Sequence, residues 1–258
     1  MERYSGKSIF SAGFLVAAAL GVVMATSTPA RADTKAECKD LPDHAALKAA
    51  LTTARNHASN NGGFDLDMWG TIVNRDGIVC AVAFTGTNRG AQWPGSRVIS
   101  AQKANTANAF SLPALALSTA NLYTAVQPGG SLYGLQHSNP VNPEVAYRGN
   151  PKNYGQPNDP LVGEKIGGVN VFGGGLGLYN SAKTLIGALG VSGDTSCADH
   201  FIAWRTRDAL GFDYVPGGVS GDNARLDNIV FADGPWQHPH CLVEATENGL
   251  AAGLPTAP

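Results

Sequence analysis

Two short apolar runs, Met68-Trp-Gly-Thr-Ile-Val73 and Ile78-Val-Cys-Ala-Val-Ala-Phe84, are separated by Asn74-Arg-Asp-Gly77. Runs of β-branched and aromatic residues joined by a short link containing aspartate-glycine fold as a β-hairpin. A hairpin commits the chain to antiparallel pairing, so the sheet that grows from it is read as antiparallel.

The remaining elements are placed around that hairpin. Residues 43–59 carry Leu47, Leu51, Ala54 and Ala58 on one helical face, with Asp43 as N-cap and Asn60-Asn-Gly-Gly63 as terminator. Residues 85–95 are a polar loop. Ser96 opens a helix to about Phe110, and Ser111-Leu-Pro113 opens another to about Val126, since proline is tolerated in a first turn. Lys165–Tyr179 reads as a strand with Gly173-Gly-Gly175 as a possible interruption, and Thr184–Val191 as the next. Cys197–Leu210 reads as a helix closed by Gly211. The expected order is α-β-β-α-α-β-β-α, an α+β fold with an antiparallel sheet and helices packed against one side.

Two stretches lie outside this scheme. Residues 127–163 are rich in proline, glycine and asparagine, with Tyr133 and His137 among them. A long ordered loop of this kind forms a lid over a ligand or fills a subunit contact. Residues 212–258 read as an irregular extension.

Residues 1–32 have the three parts of a secretory signal peptide. Arg3 and Lys7 precede an uncharged apolar run from Phe14 to Ala25, and Ala30-Arg-Ala32 stands before Asp33. The mature chain is then expected to be one domain, 33–258, periplasmic or secreted, with no membrane span. Net charge is −2 and only 15% of residues are charged, so nothing suggests a nucleic-acid partner.

Cys38, Cys80, Cys197 and Cys241 make an even count, which in an exported chain means two disulfides. Three pairings are open. The favoured one joins Cys38 to Cys80 and Cys197 to Cys241, tying the segment before the first helix to an early strand and holding down the tail. Were Cys241 reduced, His238, His240 and Cys241, with Asp233 nearby, could hold copper or zinc. Gly173-Gly-Gly-Leu-Gly177 lacks the spacing and context of a nucleotide-binding loop. Asp199-His200 is better read as helix support, Asp199 lying near a positive helix end, than as acid/base machinery.

Four stretches together resemble the GlcG/HbpS family of haem-binding proteins. They are Val73-Asn-Arg-Asp-Gly77, the helix Ser100-Ala-Gln-Lys-Ala-Asn-Thr-Ala-Asn-Ala-Phe110, Ile166-Gly-Gly-Val-Asn170, and Leu185-Ile-Gly-Ala-Leu-Gly-Val-Ser-Gly193 followed by Asp199. The match spans about 43–126 and 163–211, which makes 127–163 an insertion and 212–258 an addition. Asn170 stands where the family often has proline.

The resemblance implies an exported haem-binding protein, used for storage, delivery or sensing and without catalysis of its own. It also implies a homo-oligomer, with a periplasmic partner protein as a further possibility. The alternative is a periplasmic enzyme or accessory subunit holding a small organic molecule in the same pocket. Relatives contact haem partly from the first helix, so His57 becomes the expected iron ligand, at the edge of that helix's apolar stripe. Arg97 and Lys103 are the expected propionate partners, and Trp93 and Tyr133 the expected stacking residues.

Overall fold

The computed structural model describes residues 37–258. The expected signal peptide lies outside the described residues.

The hairpin forms as β1 (Trp69–Asn74) and β2 (Val79–Phe84). Its turn is held by the Asn74 carboxamide, which accepts the backbone N–H of Asp76 and of Ile78 at 3.0 Å each. Gly77 sits at φ +76°, a conformation that favours glycine. A second hairpin, β3 (Gly175–Tyr179) and β4 (Leu185–Ser192), lays β4 against β1. All neighbours in the sheet are antiparallel, in the order β2-β1-β4-β3.

Helices cover both faces of this sheet, not one. On one face lie α1 (His44–Arg55) and α3 (Ser196–Leu210), where Leu47, Leu51, Phe201 and Ile202 meet Ile72, Leu176 and Leu189. On the other lies α2 (Ser96–Phe110), where Val98, Ala101, Ala104 and Ala107 meet Trp69, Val73, Val82 and Ala188. The strands carry few polar residues, and every residue of β1 is buried. Strands buried on both faces read as continuous apolar runs. Small residues let α2 approach closely: a Cβ on Gly190 would overlap the Ser100 carbonyl oxygen, and Thr71 Oγ1 lies 2.8 Å from Ser100 Oγ.

Several boundaries differ from expectation. The first helix ends at Arg55, because Asn61, at φ +51°, turns its amide back onto the Ala54 and Arg55 carbonyls. The helix expected over 111–126 is two 3₁₀ turns, Thr119–Leu122 and Thr124–Val126. There Leu112 and Leu115 pair with each other, and Asn121 accepts the Ser118 N–H and hydroxyl while donating to the Asn228 carbonyl. Side chains of this kind offer the backbone partners that compete with an α-helix. The strand expected from Lys165 starts only at Gly175, since Gly167, Gly168 and Gly174 take positive φ. The tail is not wholly irregular: it holds α4 (Glu244–Ala252), whose buried Glu247 carboxylate accepts the N–H groups of the preceding Cys241 and Leu242.

The two additions close the sheet edges. Val79 exchanges backbone hydrogen bonds with Glu164 and Gly163, which covers β2. Tyr179 N–H donates to the Phe212 carbonyl, which covers β3. Each contact thus pairs one end of an edge strand, where unpaired groups invite association with other chains. Each addition is also anchored by a buried arginine–aspartate pair, Arg97 with Asp159 and Arg207 with Asp227. Among the described residues no helix is long and apolar enough to cross a membrane. The cysteines form Cys38–Cys80 and Cys197–Cys241, the favoured pairing, and no cysteine is free.

Candidate functional site

A slot of about 390 Å³ opens beside the start of α2. That is within the size range of small-molecule sites. It is lined by buried Trp69, from the first position of β1, and Val98, from the first turn of α2, together with exposed Pro94 and Gly95. The opposite wall is Tyr147, Pro151 and Tyr154, all from the insertion. Arg89 stands at the rim on the loop before α2. That loop is shaped by Gln92, which accepts the Gly86 N–H at 3.1 Å and donates to the Asn88 carbonyl at 2.8 Å.

The wall is locked in place by Arg97. Its guanidinium grips both oxygens of Asp159, with Nε–Oδ2 at 2.9 Å, and donates to the Ala146 carbonyl at 3.0 Å. It also lies 3.7 Å from the centre of the Tyr154 ring. Asp159 in turn accepts the N–H groups of Gly155 and Leu161 at 2.6 and 2.8 Å. Gly155, at φ +72°, presses so close to Phe84 and Trp69 that a Cβ would collide with both rings.

Most of the slot's polar groups fall into two sets. Arg97 and the Tyr154 hydroxyl are engaged, the latter with the Tyr147 and Arg148 carbonyls at 3.2 and 3.1 Å. Arg89, the Tyr147 hydroxyl and the Trp69 Nε1–H have no hydrogen-bond or ion-pair partner among the described residues. The indole nitrogen is the unusual one, because it is buried, and a buried donor without an acceptor costs about 1–3 kcal/mol.

The expected site residues are scattered. Arg97 lines the slot, but its charge is already matched by Asp159. Lys103 is buried on α2, its Nζ 2.6 Å from Asp199 Oδ2 and 3.0 Å from the Val191 carbonyl. Neither cation is exposed at a surface. His57 lies beyond the end of α1, exposed, with Nδ1 2.8 Å from Ser59 Oγ. It borders a separate depression with Arg205, Asp208 and Pro255. Burial, chiefly, and then Arg205 hold its pKa below the usual imidazole range. Trp93 adjoins Pro94 but is half exposed, and Tyr133 is exposed elsewhere in the insertion. None of the six histidines lines the slot.

A second polar cluster surrounds the start of α3. Ser196 Oγ lies 2.7 Å from His238 Nε2 and accepts the Gly173 N–H at 2.6 Å. His238 Nδ1 is 2.7 Å from the Pro239 carbonyl, which can only accept, so Nδ1 carries the proton and the Ser196 hydroxyl donates to Nε2. Burial holds the His238 pKa down at about 4, and that of neighbouring His200 at about 3. Cys197, His238 and Cys241 offer ligand atoms within 4.8 Å of one another, yet the two sulfurs are bonded to each other. His240 is not in this group; it stacks on Phe231 at 4.2 Å and meets Asn248. The metal alternative is therefore closed while the disulfide stands.

Residues 43–207 match the family model described as "Haem degrading protein HbpS-like". The chain belongs to the HbpS-like family. Among solved structures it is similar to protein ORFY of Klebsiella pneumoniae, with 25% identity, 66% of this chain and 90% of that one covered, and a TM-score of 0.43. It is also similar to PduOC in its haem complex, at 23% identity, 66% and 94% coverage and a TM-score of 0.45. A double-substituted HbpS from Streptomyces reticuli gives 16% identity, 78% and 99% coverage and a TM-score of 0.42. No curated protein matches.

The residues that sequence reasoning missed are Arg89, Tyr147 and Tyr154. Arg89 sits in a loop read only as polar and glycine-containing. The two tyrosines belong to the insertion, whose only signal was its length and its mixture of proline, glycine and aromatic residues.

Proposed function

We propose that this HbpS-like protein is an exported haem-binding protein, serving haem storage, delivery or sensing, and that the slot beside α2 receives the porphyrin. The observation that carries this reading is an apolar slot, in a chain of this family, rimmed by an unpaired guanidinium. Haem needs an apolar face to dry one side of the ring, a cation for its carboxylates and an atom able to reach iron. Trp69, Val98, Pro94 and Tyr154 supply the apolar surface, Arg89 the cation and the Tyr147 phenol the oxygen donor. Bound haem would supply iron-centred ligand and electron chemistry. The two disulfides support an oxidising compartment, and hence export. Relatives of this family commonly assemble, so a homo-oligomer is part of the proposal.

Titrating the purified oxidised protein with ferric hemin tests it. The expected result is a saturable Soret shift at about one hemin per chain. A spectrum that only sums free hemin and protein would refute it.

One observation favours a second reading, a periplasmic enzyme or accessory subunit with an organic ligand: no histidine lines the slot. Native mass spectrometry of protein from its own host separates the two by the mass retained.

A further inference from the structure

We infer that Tyr147 is the iron-binding residue of the slot and that Arg89 pairs a propionate, so that the insertion rather than the first helix carries the ligand chemistry; this rests on the haem reading above. Two exposed groups at the slot, the Arg89 guanidinium and the Tyr147 phenol, have no protein partner, and the buried indole N–H of the lining residue Trp69 has none either. A guanidinium and an indole N–H can only donate. At Arg89, where the guanidinium is free of any protein carboxylate, a ligand carboxylate brings charge as well as hydrogen bonds. The phenol alone of the three has a lone pair to give to ferric iron, and tyrosine is an established haem ligand. The other phenol, Tyr154, is spent on two carbonyls, and its ring is held under Arg97.

Position favours the same assignment. Tyr147 is 69% exposed, so its side chain is free to swing toward a bound ring. Its backbone is not free. It caps the helical turn Pro143–Ala146, its N–H donates to the Pro143 carbonyl at 3.2 Å, and the adjacent Ala146 carbonyl is held by Arg97. An exposed phenol on a fixed backbone suits a site that must admit a large flat ligand. On coordination the phenol gives up its proton to solvent and the iron–oxygen bond forms, with no change of oxidation state.

The test uses ferric hemin and iron-free protoporphyrin, with Tyr147→Phe, Tyr147→His and Arg89→Gln. Wild-type protein with ferric hemin is expected to show a phenolate-to-iron charge-transfer band. Tyr147→Phe should lose that band and weaken hemin binding by about tenfold or more, one modest bond. Protoporphyrin, having no iron, should bind Tyr147→Phe as it binds wild type. Tyr147→His should restore hemin affinity with an imidazole-type spectrum. Arg89→Gln should weaken both porphyrins without altering the hemin spectrum. Saturable hemin binding with an unchanged spectrum in Tyr147→Phe overturns the assignment and leaves the haem reading standing. Absence of saturable hemin binding in wild type overturns both.

Discussion

The Arg97 guanidinium and the Asp159 carboxylate meet two-pronged and out of solvent, joining the first turn of α2 to the far end of the insertion. The same aspartate accepts two backbone N–H groups of the insertion, and the same arginine carries the Tyr154 ring. One ion pair thus sets the distance between the two walls of the slot.

Removing half of that pair leaves a buried charge unmatched, which costs about 3–5 kcal/mol. Asp159→Ala should therefore lower the melting temperature by many degrees. At permissive temperature it should also loosen the 143–160 segment, seen as faster amide exchange there, and weaken hemin binding. Unchanged exchange in that segment would show that the wall is held by something else.

His57→Ala should leave the hemin spectrum and affinity unchanged, because His57 is exposed, bonded to Ser59 and outside the slot. A lost or shifted Soret band in this variant would return the iron site to the end of the first helix.

Each disulfide closes a loop of about 43 residues, for which loop-closure entropy gives about 4 kcal/mol. Reduction by a phosphine should lower the urea midpoint markedly. Thiol labelling of the oxidised, denatured protein should find no reactive cysteine. Two labelled thiols per chain would contradict one bridge, and four would contradict both.

Acid should destabilise the protein through two buried histidines. His200 and His238 are buried neutral, with pKa values pushed down to about 3 and about 4, against 6.5 in the unfolded chain. Between pH 6.5 and those values the unfolded chain binds more protons, so stability falls as pH falls. At pH 5 the two histidines together lose about 4 kcal/mol relative to neutral pH. Asp199 acts in the opposite sense, since burial raises it to about 6 and the folded state takes up its proton first. A net loss of about 2 kcal/mol is expected from pH 7 to pH 5. His238→Gln should flatten that slope in urea unfolding series. A wild-type profile flat over this range would exclude the mechanism.

The hairpin, α1, α3 and the existence of two disulfides were legible because each has a local signature: a turn with aspartate-glycine, helical spacing with caps, cysteines in an even set. The second covering layer was legible only in part. Ala101, Ala104 and Ala107 give α2 no strong apolar stripe, yet they are what lets it lie against Gly190. The slot was not legible, because its walls come from positions far apart in the chain. Trp69 and Tyr154 come to one slot with the help of Arg97 and Asp159, 62 residues apart, and no periodicity marks such a contact. Arg97 and Lys103 were read as cations awaiting a ligand. Asp159 and Asp199 neutralise them within the fold; Asp159 lay unmarked in the insertion, and Asp199 was read only as support for its own helix.

Lys103 provides the sharpest test of that last distinction. The lysine of the family-like helix is buried against Asp199, which also accepts the N–H groups of Gly193 and Asp194 at 3.0 and 2.9 Å. Burial, the dominant influence, pushes Asp199 up and Lys103 down, and their mutual attraction only partly offsets it. In Lys103→Met the carboxylate keeps its two backbone donors but loses its counter-charge, so its folded pKa must rise beyond about 6. A carboxylate whose folded pKa lies above its unfolded value costs stability as pH rises through that window, and the cost is complete above the folded pKa. Lys103→Met should therefore be destabilised by about 3–5 kcal/mol at pH 8, and by clearly less at pH 5, where Asp199 is protonated. Hemin affinity, measured where the variant is folded, should stay within about twofold of wild type, well under the tenfold that marks one lost contact. A variant that keeps its stability at every pH but binds hemin weakly would instead make Lys103 a propionate partner and move the site to the middle of α2.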